Sequence, residues 1–334
     1  LYYKEAETGQ ILEEGINGAG AFSAWLAAAT SYSVSDYPMV PFYIYYSMFG
    51  FQRIGDLAWA AGDSQAKGFL IGATAGRTTL NGEGLQHQDG HSHMMAAAIP
   101  NCISYDPTYA YELAVIVQDG MKRMFEAGEK CFYYITTMNE NYRHPDMPED
   151  VEEGIIRGLY QIKTSTARHT LRVQLMGAGA ILREVEAAAE ILETRYNICA
   201  DIWSMTSINE LARDGKDAQR WNMLNPTETP KIPFLTAQLQ DCEGPFIAAT
   251  DYIKAHTDQI RDLVPGRFTV LGTDGFGRSD TRAKLREFFE VDRRFVVLAA
   301  LKSLADDAVI DVGVVAQAIT ELGINADKPN PRSV

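Results

Sequence analysis

Basic side chains are scarce in this sequence of 334 residues: 30 Lys and Arg stand against 44 Asp and Glu, a formal net charge of −14. That balance excludes nucleic acid as a partner, because phosphate binding needs a basic face. It leaves small anions open, since a pocket on an acidic protein can be locally positive. Cysteine is scarce too. Cys102, Cys131, Cys199 and Cys242 lie far apart in apolar or mixed surroundings, the pattern of reduced thiols in a cytoplasmic protein and not of a disulfide frame. No uninterrupted apolar run reaches transmembrane length and no signal peptide is visible, so no membrane partner is expected. Internal repeats and low-complexity segments are absent. The first residue is Leu1, not Met, and the chain is expected to begin partway through a longer polypeptide.

What is present is the composition of an ordinary globular protein, 46% hydrophobic and 22% charged, with length for two medium domains. Gly15–Tyr32 is Ala-rich with helical spacing and a nearly featureless polar side, which predicts a helix buried on most of its faces. Met39–Tyr46 reads as a buried strand and Met48–Ala61 as a helix. Gly68–Ala73 reads as a second strand, Asn101–Tyr105 as a third and Cys131–Thr137 as a fourth, with helices over Tyr109–Phe125 and Val151–Leu159. Continuous apolar strands alternating with helices predict a parallel sheet covered on both faces. Composition turns polar around Lys163–His169, which places a domain boundary at 165/166. The second half then restarts the rhythm: strands at Leu171–Met176, Ala200–Ser204, Phe246–Thr250 and Phe268–Gly272, and helices at Ile181–Tyr196, Arg294–Leu304 and Val312–Leu322. The fold class is α/β, two doubly wound three-layer α/β/α domains over 1–165 and 166–334. Gly177-Ala178-Gly179 is a weak candidate phosphate cradle, since such turns also leave strands cheaply. Asn209–Gly215 and Asp274–Asp280 read as charged loops, either solvated turns or interface loops.

The most unusual stretch is Thr78–His93, TTLNGEGLQHQDGHSH. It holds three of the six histidines (His87, His91 and His93) together with Glu83 and Asp89. Gly82, Gly84 and Gly90 make it a loop, and it follows a predicted strand, where open α/β sheets bind ligands. Three readings compete: a hydrogen-bonded surface loop, a zinc site, and a catalytic loop whose His and Glu handle protons for a small acidic substrate. The zinc reading is the poorest. His87 and His91 have i, i+4 spacing, but the helical metalloprotease pattern needs a Glu directly after the first His, and Gly90 spoils a helix. No metal ligand is assigned.

Seven runs in order, EGIN (14–17), PFYIYYSMFGFQR (41–53), GRTTLNGEGLQHQDGHSH (76–93), SYDPTYAYE (104–112), ELARDG (210–215), RWNML (220–224) and GTDGFGRSD (272–280), make the chain similar to the homodimeric bacterial pyruvate dehydrogenases. These are the decarboxylating components of the pyruvate dehydrogenase complex. The resemblance covers essentially the whole chain. It implies a transketolase-like pyrimidine-binding domain followed by a transketolase C-terminal domain, with thiamin diphosphate as cofactor. Pyruvate is then the substrate. A second copy of the subunit and the dihydrolipoyl acyltransferase component are the protein partners. Rivals are a transketolase or another 2-oxo acid decarboxylase, and a non-catalytic assembly or regulatory subunit. The family's diphosphate and Mg2+ are held by a domain carrying Gly-Asp-Gly and a later Asn, a motif without counterpart here. Carried over by motif, Tyr46, Phe49 and Ile16 match residues around the aminopyrimidine ring, and Glu83 and His87 match polar residues facing the substrate. One departure stands out. The family places its catalytic glutamate directly after Gly-Ile-Asn, to hydrogen-bond the pyrimidine nitrogen, and this chain has Gly18 there.

Overall fold

The computed structural model describes residues 4–334. Its first domain is built on β1 (Phe42–Tyr46), β2 (Phe69–Ala73), β3 (Cys102–Tyr105) and β4 (Phe132–Thr136). All four are parallel, in the order β1-β2-β4-β3. Helices α1 (Gly18–Ala29), α2 (Ser31–Val34), α3 (Phe51–Asp63), α4 (Ser92–Ala97), α5 (Ala110–Met121) and α6 (Glu152–Arg157) connect them. A second sheet comprises β5 (Leu159–Lys163), β6 (Leu171–Gly177), β7 (Ile198–Met205), β8 (Phe246–Ala249) and β9 (Phe268–Leu271), in the order β5-β7-β6-β8-β9. Around it lie α7 (Leu182–Arg195), α8 (Ile208–Leu224), α9 (Phe234–Leu239), α10 (Lys254–Thr257), α11 (Arg282–Phe288), α12 (Arg293–Asp306) and α13 (Val312–Glu321). Strands β2, β3, β4, β6, β7 and β8 are buried at nearly every position, the continuous apolar type that parallel sheets demand. The α/β architecture with two helix-flanked sheets is the expected one.

The structure departs from the sequence reading at four places. β5 runs antiparallel to β7, so chain before residue 165 contributes a strand to the second sheet. β1 is not buried. It is an edge strand whose alternate residues Phe42, Ile44 and Tyr46 are 48%, 68% and 50% exposed; Tyr43 and Tyr45 pack inward, against Phe22 and Tyr134, and Phe42 stacks on Phe69. α1 buries only the stripe Phe22, Trp25 and Ala29, one face and not most of them. Finally, Asn209–Gly215 is not a loop but the start of α8. Ser207 caps it by accepting the Glu210 amide, and Ile208, Leu211, Ala212 and Gly215 are buried at helical spacing. The charges that read as a loop are part-buried and paired, Glu210 with Arg213 and Asp214 with Arg157.

Three of the cysteines are buried, Cys242 is partly so, and all are free thiols. Burial pushes the Cys131 thiol up to about 11, so it is inert near neutrality.

The domains interlock through polar groups as well as apolar ones. Glu140, in the chain after β4, is ion-paired with Arg183, Arg282 and Arg286 of the second domain. Gly158, the left-handed cap of α6 (φ +106°), accepts the Thr206 and Ser207 amides. A Cβ at 158 would stand 2.4 Å from the Ser207 carbonyl oxygen. Gly158→Ala is therefore expected to cost about 2–4 kcal/mol, left-handed strain plus a backbone clash. A fall in the urea midpoint at unchanged m-value measures it.

Candidate active site

Residues Tyr46 and Ala73 end the paired strands β1 and β2 in register, so the two segments leaving these strands start side by side. β1 passes into a tight turn, Ser47–Phe49. β2 passes into the His-rich loop. That loop folds across the end of β1 and sets the His87 ring edge-on to Phe49 at 4.9 Å and to Tyr46 at 5.6 Å, with Tyr46 and Phe49 themselves 6.2 Å apart. The three rings form a cup whose open face is the exposed side of Tyr46. The Arg53 guanidinium lies over the Phe49 ring at 4.2 Å, adding positive charge at the rim.

Within the cup His87 Nδ1 is buried and has no hydrogen-bond partner. The nearest carboxylate oxygen, on Glu83, is 3.6 Å away, just beyond hydrogen-bond reach, and Glu83 is itself half-exposed. The two side chains thus lie close without a hydrogen bond between them. Four of the six expected site residues, Tyr46, Phe49, Glu83 and His87, are brought together.

The other two are not brought to that cluster. Ile16 is fully exposed in the extended segment before α1. Gly18 is the first residue of α1, where Asn17 accepts the Gly20 amide as N-cap. The Gly18 carbonyl accepts from the Tyr43 hydroxyl at 3.4 Å. A Cβ at 18 would meet only Tyr43 Oη at 3.6 Å and Ile54 Cγ2 at 3.7 Å, ordinary contact with room for a longer side chain.

The remaining histidines divide by burial. His93, at the start of α4, is enclosed against Tyr134, Tyr252 and His256, with a ring nitrogen 3.0 Å from Thr136 Oγ1. Burial lowers its pKa to about 3, so it is a neutral core residue. His91 is partly exposed between two side chains to which the sequence reading gave no role, Gln52 at 2.7 Å and Arg77 at 3.5 Å. Both lie within the quoted runs 41–53 and 76–93, but only the fold brings them to His91. The Gly177–Gly179 turn cradles a carboxylate of the protein itself: a Cβ on Gly179 would be 2.6 Å from Asp106 Oδ2. Burial raises the Asp106 carboxyl to about 7.

Two helix-flanked sheets, with a polar loop closing over the carboxyl ends of the first, define a transketolase-like α/β protein. Solved transketolases share the fold: that of Campylobacter jejuni aligns with 79% of this chain and 36% of its own at TM-score 0.59 and 17% identity. A split-gene transketolase, described as an inactive beta4 tetramer, aligns with 84% of this chain and 81% of its own at TM-score 0.59 and 16% identity. Residues 1–145 match the family model of the pyruvate dehydrogenase E1 component middle domain, and residues 158–292 that of the transketolase-like TK C-terminal domain. In these two domains the chain belongs to the pyruvate dehydrogenase E1 component family. It is 58% identical to the pyruvate dehydrogenase E1 component of Cupriavidus necator over all of this chain and 37% of that protein. It is 60% identical to those of Pseudomonas aeruginosa and Escherichia coli, over 99% of this chain and 38% and 37% of those proteins. The chain thus spans little more than a third of the length of these relatives.

Proposed function

We propose that this chain forms the aminopyrimidine-binding and C-terminal part of a thiamin diphosphate-dependent pyruvate dehydrogenase. The observation that carries this reading is the cup of Tyr46, Phe49 and His87 at the end of β1. A flat heterocycle fits it. Two aromatic faces are available for stacking, and His87 Nδ1 is an orphaned polar atom facing no protein partner at hydrogen-bond distance. Tyr46 and Phe49 hold and orient the ring, and exposed Ile16 packs alongside once the extended segment is covered. His87 and Glu83 move a proton on the substrate side. Bound there, the cofactor supplies a carbon nucleophile for decarboxylating a 2-oxo acid. Acetyl transfer to a lipoyl group of the acyltransferase component follows from the same resemblance. The diphosphate and its Mg2+ belong to a separate diphosphate-binding domain. The carboxylate expected at the ring nitrogen is not supplied by Gly18, which favours a second reading, a non-catalytic assembly subunit. Thiamin diphosphate titration, with and without a diphosphate-binding domain, distinguishes the readings: saturable binding with that domain supports the first, and none in either case removes it.

The exposed apolar edge adds a second copy of the subunit as partner. Phe42, Ile44 and Tyr46 on β1 are 48–68% exposed, and Ile11, Leu12 and Ile16 before α1 are still more so, apolar exposure of the kind that marks an interaction surface. Two copies meeting across this face also protect the unpaired strand edge. The expected sedimentation behaviour at micromolar concentration is that of a dimer or larger assembly, and a clean monomer there would count against it.

A further inference from the structure

Both ends of the loop that carries Glu83 and His87 are tied to one short segment of the C-terminal domain, the residues just after β8. Asp251 Oδ1 accepts the Thr78 amide at 2.8 Å, and Oδ2 accepts the Thr79 amide at 3.0 Å and the Thr79 hydroxyl at 2.6 Å. The Arg77 amide donates to the Asp251 carbonyl at 3.3 Å. At the far end of the loop, the Ile253 amide donates to the Gly90 carbonyl at 2.8 Å. The loop between is held by a third tie. Gln88 donates to the Leu80 carbonyl at 2.7 Å and accepts the Arg278 amide at 2.6 Å, while the Gly82 amide donates to the Asp280 carbonyl at 3.2 Å.

Asp251 is 3% exposed. Burial raises its carboxyl pKa, and the Thr79, Arg286 and Thr78 partners oppose that. The loop is shaped to admit the carboxylate. Gly76 has φ +93°, and a Cβ there would stand 2.3 Å from Asp251 Oδ2. A buried carboxylate whose hydrogen bonds all go to another domain's loop, at a site where that loop must be glycine, has a conformation to enforce.

We propose that Asp251 is a positioning residue: from the C-terminal domain it fixes the backbone of the 76–90 loop and so the place of Glu83 and His87 against Tyr46 and Phe49. The assignment rests on the reading of Glu83 and His87 as proton-handling groups. It gives the C-terminal domain a part in the chemistry without contact with the reacting atoms. A misplacement of about 1 Å at such a group costs on the order of 100-fold in rate.

Asp251→Asn tests it. Asn keeps the volume but turns an NH2 toward the donors that Oδ1 or Oδ2 now accepts. In the 334-residue chain, amide hydrogen exchange over the loop is expected to speed up about tenfold or more, with the β6–β8 core unchanged, an opening local to the loop. The His87 ring resonances should shift and broaden. Gln88→Leu, which leaves Asp251 in place, should loosen the loop on its own and serves if Asp251→Asn fails to fold. In a full-length protein with Gly18→Glu, Asp251→Asn should lower kcat about 10–100-fold and change thiamin diphosphate affinity much less, because the two stacking rings of the cup, Tyr46 and Phe49, are on β1 and its turn and only His87 is on the loop. Asp251→Glu should recover part of the loss. Unchanged exchange and unchanged His87 resonances in both Asp251→Asn and Gln88→Leu overturn the proposal. A loosened loop with unchanged kcat keeps the clamp and removes His87 from the chemistry instead.

Discussion

His87→Ala, in a protein that carries Gly18→Glu and a diphosphate-binding domain, is expected to lower pyruvate turnover about 10²–10⁴-fold, the span of a positioned proton donor. Its effect on stability should be small. The imidazole is partly exposed, its Nδ1 makes no hydrogen bond, and it touches Tyr46 and Phe49 only edge-on. Such ring contacts are worth about 0.5–1.5 kcal/mol each at most, and the loop backbone is held independently through Asp251 and Gln88. The two quantities therefore separate. Steady-state turnover and the urea midpoint, measured on the same preparation, show whether they do. A variant that melts early yet turns over normally once folded would make His87 a structural residue, and the cup would lose its proton carrier.

The parts of this fold that were legible in the sequence are those where one local pattern decides. GFLIGA and CFYYITT are continuous apolar runs, and both became central strands because nothing but a doubly covered sheet accommodates them. The glycines of TTLNGEGLQHQDG allowed only a loop, and the Ser92 and His93 that follow open α4. What the sequence could not show depends on neighbours. FYIYY has the composition of a buried strand, yet β1 is an edge, because among the described residues no further strand pairs with it. ELARDG has the charge of a loop, yet Ser207 and the stripe Ile208, Leu211, Ala212 make it helix. The site divides the same way. His87 and Glu83 stand out by density in one loop, whereas Asp251 lies 164 residues beyond His87 with no motif around it. Only the fold brings its carboxylate to Thr78 and Thr79.

Gly18→Glu is expected to raise pyruvate decarboxylation about 10²–10⁴-fold over the chain as it stands, when both are completed with a diphosphate-binding domain, thiamin diphosphate and magnesium. The resemblance gives this position a carboxyl group that shares a proton with the pyrimidine nitrogen. Glycine has no side chain to donate or accept there, and a water in that space is poorly placed. Losing a fixed proton relay costs roughly 3–5 kcal/mol of barrier, so the Gly18 protein should be nearly silent. The backbone is ready for the substitution. Gly18 opens α1 directly after its Asn17 cap, and its Cβ would find only Tyr43 Oη and Ile54 Cγ2 at ordinary contact distance. A carboxylate in the first turn also complements the helix dipole, worth about 0.3–1 kcal/mol, and removes a glycine from the helix. Stability should thus rise slightly while activity rises greatly. Thermal melts and initial rates on the protein with and without the Gly18→Glu substitution measure both. Equal, substantial rates would show that position 18 carries no catalytic carboxylate, and silence in both would leave the chain its assembly role alone.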